Sequence, residues 1–291
     1  MPELPEVEVT RRRIAPLLLG RRISAVETTA RSYVFITPPG RLRTALPGLT
    51  PTALDRLGKY LLARFDDEST LVVHLGMTGQ LFSSRATSPR LLSATARASL
   101  SPDAQRDFEP DSHTHLRLRF EDGGPEIYFR DVRKFGKLLL LARGRGHARL
   151  ERLGPDALDV DGTSLFAATR RRRAPIKALL LDQSVLAGIG NIYADEALSL
   201  ARVRPGRRAS RLTRREAEAL AAGIVHVLER SIATGGSSIS DYVAPDGRDG
   251  RYQDERRVYG REGEPCHACG SPIRRRMVAQ RSAHYCPNCQ K

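Results

Sequence analysis

The chain has 291 residues, 40% hydrophobic and 28% charged, which is enough apolar surface for a buried core and too ordinary a composition for wholesale disorder. Lys and Arg number 48 against 33 Asp and Glu, a formal net charge of +15; that excess points to a polyanionic partner such as nucleic acid or, less informatively, to a coding bias for arginine on solvated surfaces. No apolar run approaches the ~20 residues of a membrane span, and acidic residues and prolines precede any basic one, so neither a membrane anchor nor a secretion signal is expected and a cytoplasmic, nucleoid-associated protein is.

Residues 3–19 form the first predicted helix. Pro5 suits its first turn, and Glu3, Glu6 and Glu8 are favoured near the positive end of the helix dipole. Val7, Ile14, Leu17 and Leu18 supply the apolar face, Gly20 ends the run, and Pro16 is a blemish that predicts a kink in the last turn. Strand signals follow: Ile23–Thr28, Tyr33–Thr37, Tyr60–Phe65, Leu71–Leu75, His115–Phe120, Ile127–Phe129 and Lys137–Leu141 are short, and either apolar or alternating. Many short strands between Gly, Pro and Asp turns predict a sandwich or barrel. Residues 83–113 are rich in Ser, Ala, Arg and Pro, have no period, and read as a long mobile surface loop.

Beyond about residue 150 the texture turns helical. Ile176–Asp182 is one helix, Ser184–Gly190 is turn-rich, and Asn191 reads as the cap of the next. Thr213-Arg214-Arg215-Glu216 is a capping box opening a long helix to Ile232. Gly235-Gly236-Ser237-Ser238 opens a loop reaching to Arg251.

All four cysteines lie in the tail, as Cys266-x2-Cys269, sixteen residues, then Cys286-x2-Cys289. Two tight turns, each supplying a thiolate pair, close a tetrahedron around Zn2+, whereas a redox pair would need a βαβ context that is absent. Four protein ligands leave no open coordination position, so this zinc is structural and His267 and His284 have no ligand role. Arg274-Arg275-Arg276 and Gln280-Arg281 lie on the connecting segment, which suits contact with DNA, although zinc ribbons also bind proteins.

Several separated motifs resemble the formamidopyrimidine-DNA glycosylase family: Met1-Pro2-Glu3-Leu4-Pro5-Glu6-Val7-Glu8, Gly58-Lys59-Tyr60-Leu61, His74-Leu75-Gly76-Met77-Thr78-Gly79, Asp131-Val132-Arg133-Lys134-Phe135-Gly136, Gly188-Ile189-Gly190-Asn191-Ile192-Tyr193-Ala194, Gly235-Gly236-Ser237-Ser238 and Val258-Tyr259-Gly260-Arg261. They keep their order along the whole chain. The resemblance implies an α+β fold: an N-terminal catalytic β-sandwich flanked by helices (residues 1–142), a helix–two-turn–helix domain (150–254) carrying a lesion-capping loop (235–252), and a C-terminal zinc-finger hairpin (255–291), with damaged duplex DNA held by a monomer.

It also implies a chemistry. Read alone, Pro2 is a helix-start residue. In the family, removal of Met1 frees it as a secondary amine, whose pKa of about 8 leaves a useful neutral fraction at pH 7. Such an amine can attack the sugar C1′, expel the base and form an iminium that permits strand cleavage by β,δ-elimination. The resemblance makes Glu3 a general acid/base, Glu6 a second carboxylate for proton shuttling or orientation, and Lys59 a phosphate contact that assists elimination. His74, Asn191, Tyr259 and Arg281 match backbone contacts, and Arg281 is expected at the catalytic centre as well. Asn191 also follows a Gly-x-Gly turn at a helix start, a natural anion site; Gly188-Ile189-Gly190 is no dinucleotide fingerprint, lacking a third glycine at the right spacing.

Met77, Arg133 and Phe135 match the residues that the family inserts into the duplex when the damaged nucleotide flips out. Flipping costs a few kcal/mol, which an apolar wedge and a hydrogen bond to the orphaned base partly restore. Otherwise Met77 and Phe135 would read as core. This trio and Ser237–Tyr252 favour the oxidised-purine branch over an endonuclease VIII-like enzyme for oxidised pyrimidines; a zinc-ribbon DNA-binding protein without catalysis is the third reading. Lys134, also placed against DNA, stands where the family has Arg, which keeps the charge and loses bidentate geometry. Residues 83–113 form a longer segment than the family pattern has.

Overall fold

The computed structural model describes residues 2–86, 108–238 and 242–291. The chain divides into two compact units, residues 1–147 with 234–251, and residues 148–233 with 252–291.

The first unit opens with helix α1 (Leu4–Leu18). Its side of the core, Val7, Ile14 and Leu18, is at most 4% exposed. Pro16 sits in the last turn; the helix closes through Leu19 N donating to Ala15 O, and Gly20 turns the chain away at φ +74°. Two antiparallel four-stranded sheets follow. One runs β1 (Ile23–Thr28), β6 (Thr114–Phe120), β7 (Ile127–Asp131), β5 (Gly79–Ser83). The other runs β2 (Pro51–Leu57), β3 (Tyr60–Phe65), β4 (Thr70–His74), β8 (Lys137–Leu141). Their inner faces meet through Val26, Leu116, Leu118 and Phe129 of the first and Leu61, Ala63, Val73 and Leu138 of the second, the expected sandwich core.

Three details differ from the sequence expectation. Tyr33–Thr37 is no strand: Phe35 makes a single parallel bridge to Leu138, and Pro38 and Pro39 lead directly into the short helix α2 (Pro39–Ala45). Strand β2, with its Asp55 and Arg56, carried too little alternation to be read, and β5 is buried at every position, so it shows no period. Residues 87–107 of the expected surface loop lie outside the described residues; its ends are packed rather than surface, with Phe108 against Phe82 and Tyr128 and Asp111 paired to the buried Arg130.

The second unit is helical. After the short turn α3 (Ala148–Glu151), helices α4 (Gly162–Thr169), α5 (Ile176–Leu181), α6 (Asn191–Leu200) and α7 (Arg214–Ala233) pack around Leu165, Leu180, Tyr193, Leu220 and Leu228. The capping box of α7 forms as expected: Thr213 N donates to Glu216 Oε2 (2.8 Å) and Glu216 N to Thr213 Oγ1 (3.2 Å). Asn191, however, is not a cap. Gly190 occupies that position and Asn191 is the first helical residue, its amide free to turn toward Ser282. The tail forms a hairpin, β9 (Arg274–Val278) and β10 (Arg281–Tyr285), turned by Ala279 and Gln280, both at positive φ. Among the described residues no helix is long and apolar enough to cross a membrane.

A buried ion pair ties this hairpin to the helices. Lys177 Nζ lies 2.6 Å from Asp195 Oδ1, both side chains are 0% exposed, and the ammonium also donates to Ser282 O (2.5 Å) while His284 N donates to Asp195 Oδ2 (2.8 Å). Asp195→Asn strands the ammonium in a dry site and is expected to cost about 3–5 kcal/mol. Denaturant unfolding followed on the helical signal checks this; a loss below about 1 kcal/mol would show that the pair is dispensable.

Candidate functional site

In the first unit the predicted site residues fall on three features. The first is the start of α1. Pro2 is buried, and Glu3 (1% exposed) occupies the N-cap. A capping box closes around it: the Glu3 side chain accepts from the backbone of Glu6, and Glu3 N donates to Glu6 Oε2 (2.8 Å). The other oxygen, Glu6 Oε1, accepts from Ser237 N (2.9 Å), so one buried carboxylate joins the helix start to the segment beginning at Thr234. Gly236, at φ +87°, must be glycine here: a Cβ would meet Tyr242 Cε1 at 3.0 Å and Glu6 Cγ at 3.2 Å. Tyr242 is buried beside Glu6 and Thr10; burial and the Glu6 charge push its phenol far up, so it stays protonated. Arg13 pairs with Asp246 of the same segment, Ser238 Oγ accepts from Gly250 N (2.9 Å), and residues 239–241 lie outside the described residues.

The second feature is the β2–β3 turn. Leu57 pairs with Tyr60, leaving Gly58 (φ +55°) and half-buried Lys59 as a two-residue tip. The Tyr60 and His74 rings lie tilted against each other (centroids 4.8 Å, 43°), and Gly76 N donates to His74 Nδ1 (3.2 Å). Glu8 supports this region. Its oxygens receive Arg11 (2.8 Å), Arg12 (2.7 Å) and Arg56 (3.2 Å). Burial would raise the Glu8 pKa, but the hydrogen bonds and charges of Arg11 and Arg12 outweigh it and hold the carboxyl at about 2.

The third feature is the pair of loops carrying Met77, Arg133, Lys134 and Phe135. Asp131, 0% exposed, joins them: Oδ1 accepts from Thr78 Oγ1 and from Arg133 N (3.2 Å), and Oδ2 from Gly136 N (2.7 Å). Gly76 permits the approach, since a Cβ there would lie 2.5 Å from Gly136 N. Burial lowers the His115 pKa; its neutral ring lies 3.1 Å from Asp131 O and 2.8 Å from the Thr29 hydroxyl, bracing the same loop from below. On this frame Met77 is half-buried, Arg133, Lys134 and Phe135 are exposed, and the Arg133 guanidinium stands 4.8 Å from the Phe135 ring centre.

In the second unit, Asn191 Nδ2 lies 3.3 Å from Ser282 Oγ, next to Arg281, which is exposed at the hairpin tip. Tyr259 packs edge-on to His284 (centroids 5.0 Å). Its backbone is held by Glu196, 0% exposed, which accepts from Arg257 N (2.7 Å), Val258 N (3.0 Å) and Tyr259 N (2.8 Å). The bracing roles of Asp131 and Glu196 are not visible in the sequence, and Ser237 is expected there only as part of the capping loop, not as the partner of Glu6.

The four cysteines converge. All their sulfurs lie within 4.8 Å of one another, with Cys266 and Cys289 4.0 Å apart and Cys269 and Cys286 3.5 Å apart. A tetrahedron with Zn–S bonds of about 2.3 Å has S···S edges of about 3.8 Å, so the set fits. It binds one structural zinc. His284 is engaged by Asp195 and His267 is outside the cluster.

Residues 1–138 match the formamidopyrimidine-DNA glycosylase N-terminal domain, residues 153–243 the formamidopyrimidine-DNA glycosylase H2TH domain, and residues 263–291 the zinc finger found in FPG and IleRS. A sandwich, an H2TH module and a zinc finger in that order define a zinc-finger DNA glycosylase. The chain belongs to the formamidopyrimidine-DNA glycosylase family. It is 41% identical to the formamidopyrimidine-DNA glycosylase of Alkalilimnicola ehrlichii, over 100% of both chains, and 43% identical to that of Thermus thermophilus, over 100% of this chain and 98% of the relative. Among solved structures it is similar to the Thermus thermophilus MutM (FPG) protein, with a TM-score of 0.82, 40% identity and coverage of 99% and 98%. It is also similar to the Lactococcus lactis Fpg in a complex with abasic-site DNA, with a TM-score of 0.85, 33% identity and 99% of each chain.

The depressed Glu8 pKa makes a stability prediction. Its folded value of about 2 lies below the ordinary 4.5, so its contribution is present above pH 4.5 and is lost as pH falls toward 2. Glu8→Gln is expected to lower stability at neutral pH and to flatten the acid limb between about pH 5 and pH 2.5. Urea midpoints across that range check it; an unchanged acid limb would assign the limb to other groups.

Proposed function

We propose that this base-excision-repair glycosylase removes oxidised purines, 8-oxoguanine and formamidopyrimidines, from duplex DNA through a Schiff base at Pro2, and nicks the strand by β,δ-elimination. The observation that carries the reading is the Glu6 carboxylate, which holds Glu3 N, one residue from Pro2, and Ser237 N, in the loop expected to cap the flipped base. In a chain that starts at Pro2, the secondary amine attacks C1′ and the base departs with the bonding pair. Glu3 exchanges the protons this requires. Loss of the C2′ proton from the resulting iminium then expels the 3′ phosphate, with Lys59 beside the backbone. Both Glu6 oxygens are occupied by backbone donors, which favours orientation over proton shuttling. A chain that retains Met1 has its amine in the wrong place and binds damaged DNA without cutting it.

His74, Lys134, Asn191, Tyr259 and Arg281 contact the DNA backbone in this reading, with Arg281 also at the catalytic centre. Met77, Arg133 and Phe135 fill the space left by the flipped nucleotide, a role that the exposure of Arg133 and Phe135 on a braced loop supports. The Lactococcus lactis protein has been solved with Fapy-dG-containing DNA, which supports the purine branch over oxidised pyrimidines. The protein acts as a monomer in the bacterial cytoplasm, at the nucleoid.

Borohydride reduction during reaction with an 8-oxoguanine duplex is expected to trap a covalent adduct for protein starting at Pro2, and none for protein that retains Met1. No adduct from the processed protein would overturn the enzyme mechanism, and much faster release of thymine glycol than of 8-oxoguanine would overturn the substrate class. Zinc removal by chelation is expected to weaken DNA binding while the β-sandwich stays folded; unchanged binding after verified zinc loss would remove the finger from the DNA contact.

A further inference from the structure

A two-residue turn has no core of its own, so the direction in which Lys59 leaves the sheet is set by whatever holds the turn's backbone. Arg56 is well placed to do this. Its NH1 donates to Gly58 O (3.1 Å), the carbonyl immediately before Lys59, and its Nε donates to Glu8 Oε2 (3.2 Å). Neither side chain is more than 10% exposed. Glu8 stands on α1 just beyond the Glu3–Glu6 capping box, and a guanidinium is a planar fork that fixes both of its bonds at once. A chain of two hydrogen bonds thus runs from the first turns of α1 to the tip of the β2–β3 turn. Arg11 provides an internal contrast. It pairs with the same carboxylate at 2.8 and 2.9 Å, but its other contact is Leu54 O, in the middle of β2, not the turn.

We propose that Glu8 and Arg56 are positioning residues for Lys59, registering its ammonium against the amino-terminal end of α1, while Arg11 only staples α1 to the sheet. The inference rests on the reading of Lys59 given above. A misplacement of about 1 Å at a reacting group can cost on the order of a hundredfold in rate, so loosening this fork should be visible in chemistry rather than in binding.

The test measures single-turnover cleavage of an 8-oxoguanine duplex, together with thermal melting, for Arg56→Gln, Arg11→Gln, Lys59→Met and the Arg56→Gln/Lys59→Met double variant. Arg56→Gln is expected to slow cleavage by about tenfold or more with unchanged DNA affinity, and Arg11→Gln by less than about twofold. The double variant should be no more than about twofold slower than Lys59→Met, because the effect runs through Lys59. If Arg56→Gln does not fold, Arg56→Lys takes its place; it keeps the charge beside Glu8 but not the fork, and the same tenfold loss is expected. Equal losses for Arg56→Gln and Arg11→Gln, an additive double variant, or wild-type cleavage by an Arg56 variant would overturn the proposal while leaving Lys59 in its role. Wild-type cleavage by Lys59→Met would instead overturn the reading of Lys59 itself, and this inference with it.

Discussion

A carboxylate taken out of water must find donors inside the protein, and here the donors are largely backbone N–H groups, some a few residues away and others in segments remote in sequence. Glu6 receives Ser237, Asp131 receives Arg133 and Gly136, Asp195 receives His284, and Glu196 receives three successive amides from Arg257 to Tyr259. Each bond converts a loop that could take many paths into one with a fixed start. Removing any of these acids would leave several buried donors unmet, which is why the arrangement tolerates little change.

The loops held this way are the ones expected to meet DNA. Arg133 and Phe135 stand exposed on a loop whose two ends are pinned by Asp131, and the guanidinium rests near the aromatic ring, so both side chains are poised before any partner arrives. Holding an apolar side chain in water has a cost, which, in the proposed reading, is recovered when Phe135 stacks between bases. Under the proposed duplex-opening role, support of exposed groups by a held backbone reduces the ordering needed on contact. The zinc finger follows the same logic. Its apolar cluster is small, Val258 and Ile273 against the cysteines, and the metal, the Lys177–Asp195 pair and Gln290, which bridges Cys286 N and Val203 O, supplement it.

Elements with a strong local signal were legible in the sequence. The α1 stripe, the alternation of His115–Phe120, the Thr213 capping box and the cysteine spacing all form as read, because each depends on residues close together in the chain. Tyr33–Thr37 has strand composition, but the prolines that follow leave it a single bridge. Asn191 has a cap's chemistry, yet Gly190 takes the cap and leaves the amide for Ser282, ninety-one residues away. Strand β5 carries no period because both of its faces are covered, a fact of packing and not of pattern.

By itself the sequence determined a many-stranded sandwich or barrel, the helical module, the zinc ligands and the motifs that mark the family, since patterning, capping and ligand spacing are local properties. Only the tertiary structure decided what holds those motifs in place. That Glu6 joins the helix start to Ser237, that Asp131 braces the loops bearing Met77 and Phe135, and that Arg56 carries Glu8 to the Lys59 turn could not be read from composition or period. An acid or an arginine in a sequence shows its charge but not its partner, and the partner is chosen only when folding buries both away from water.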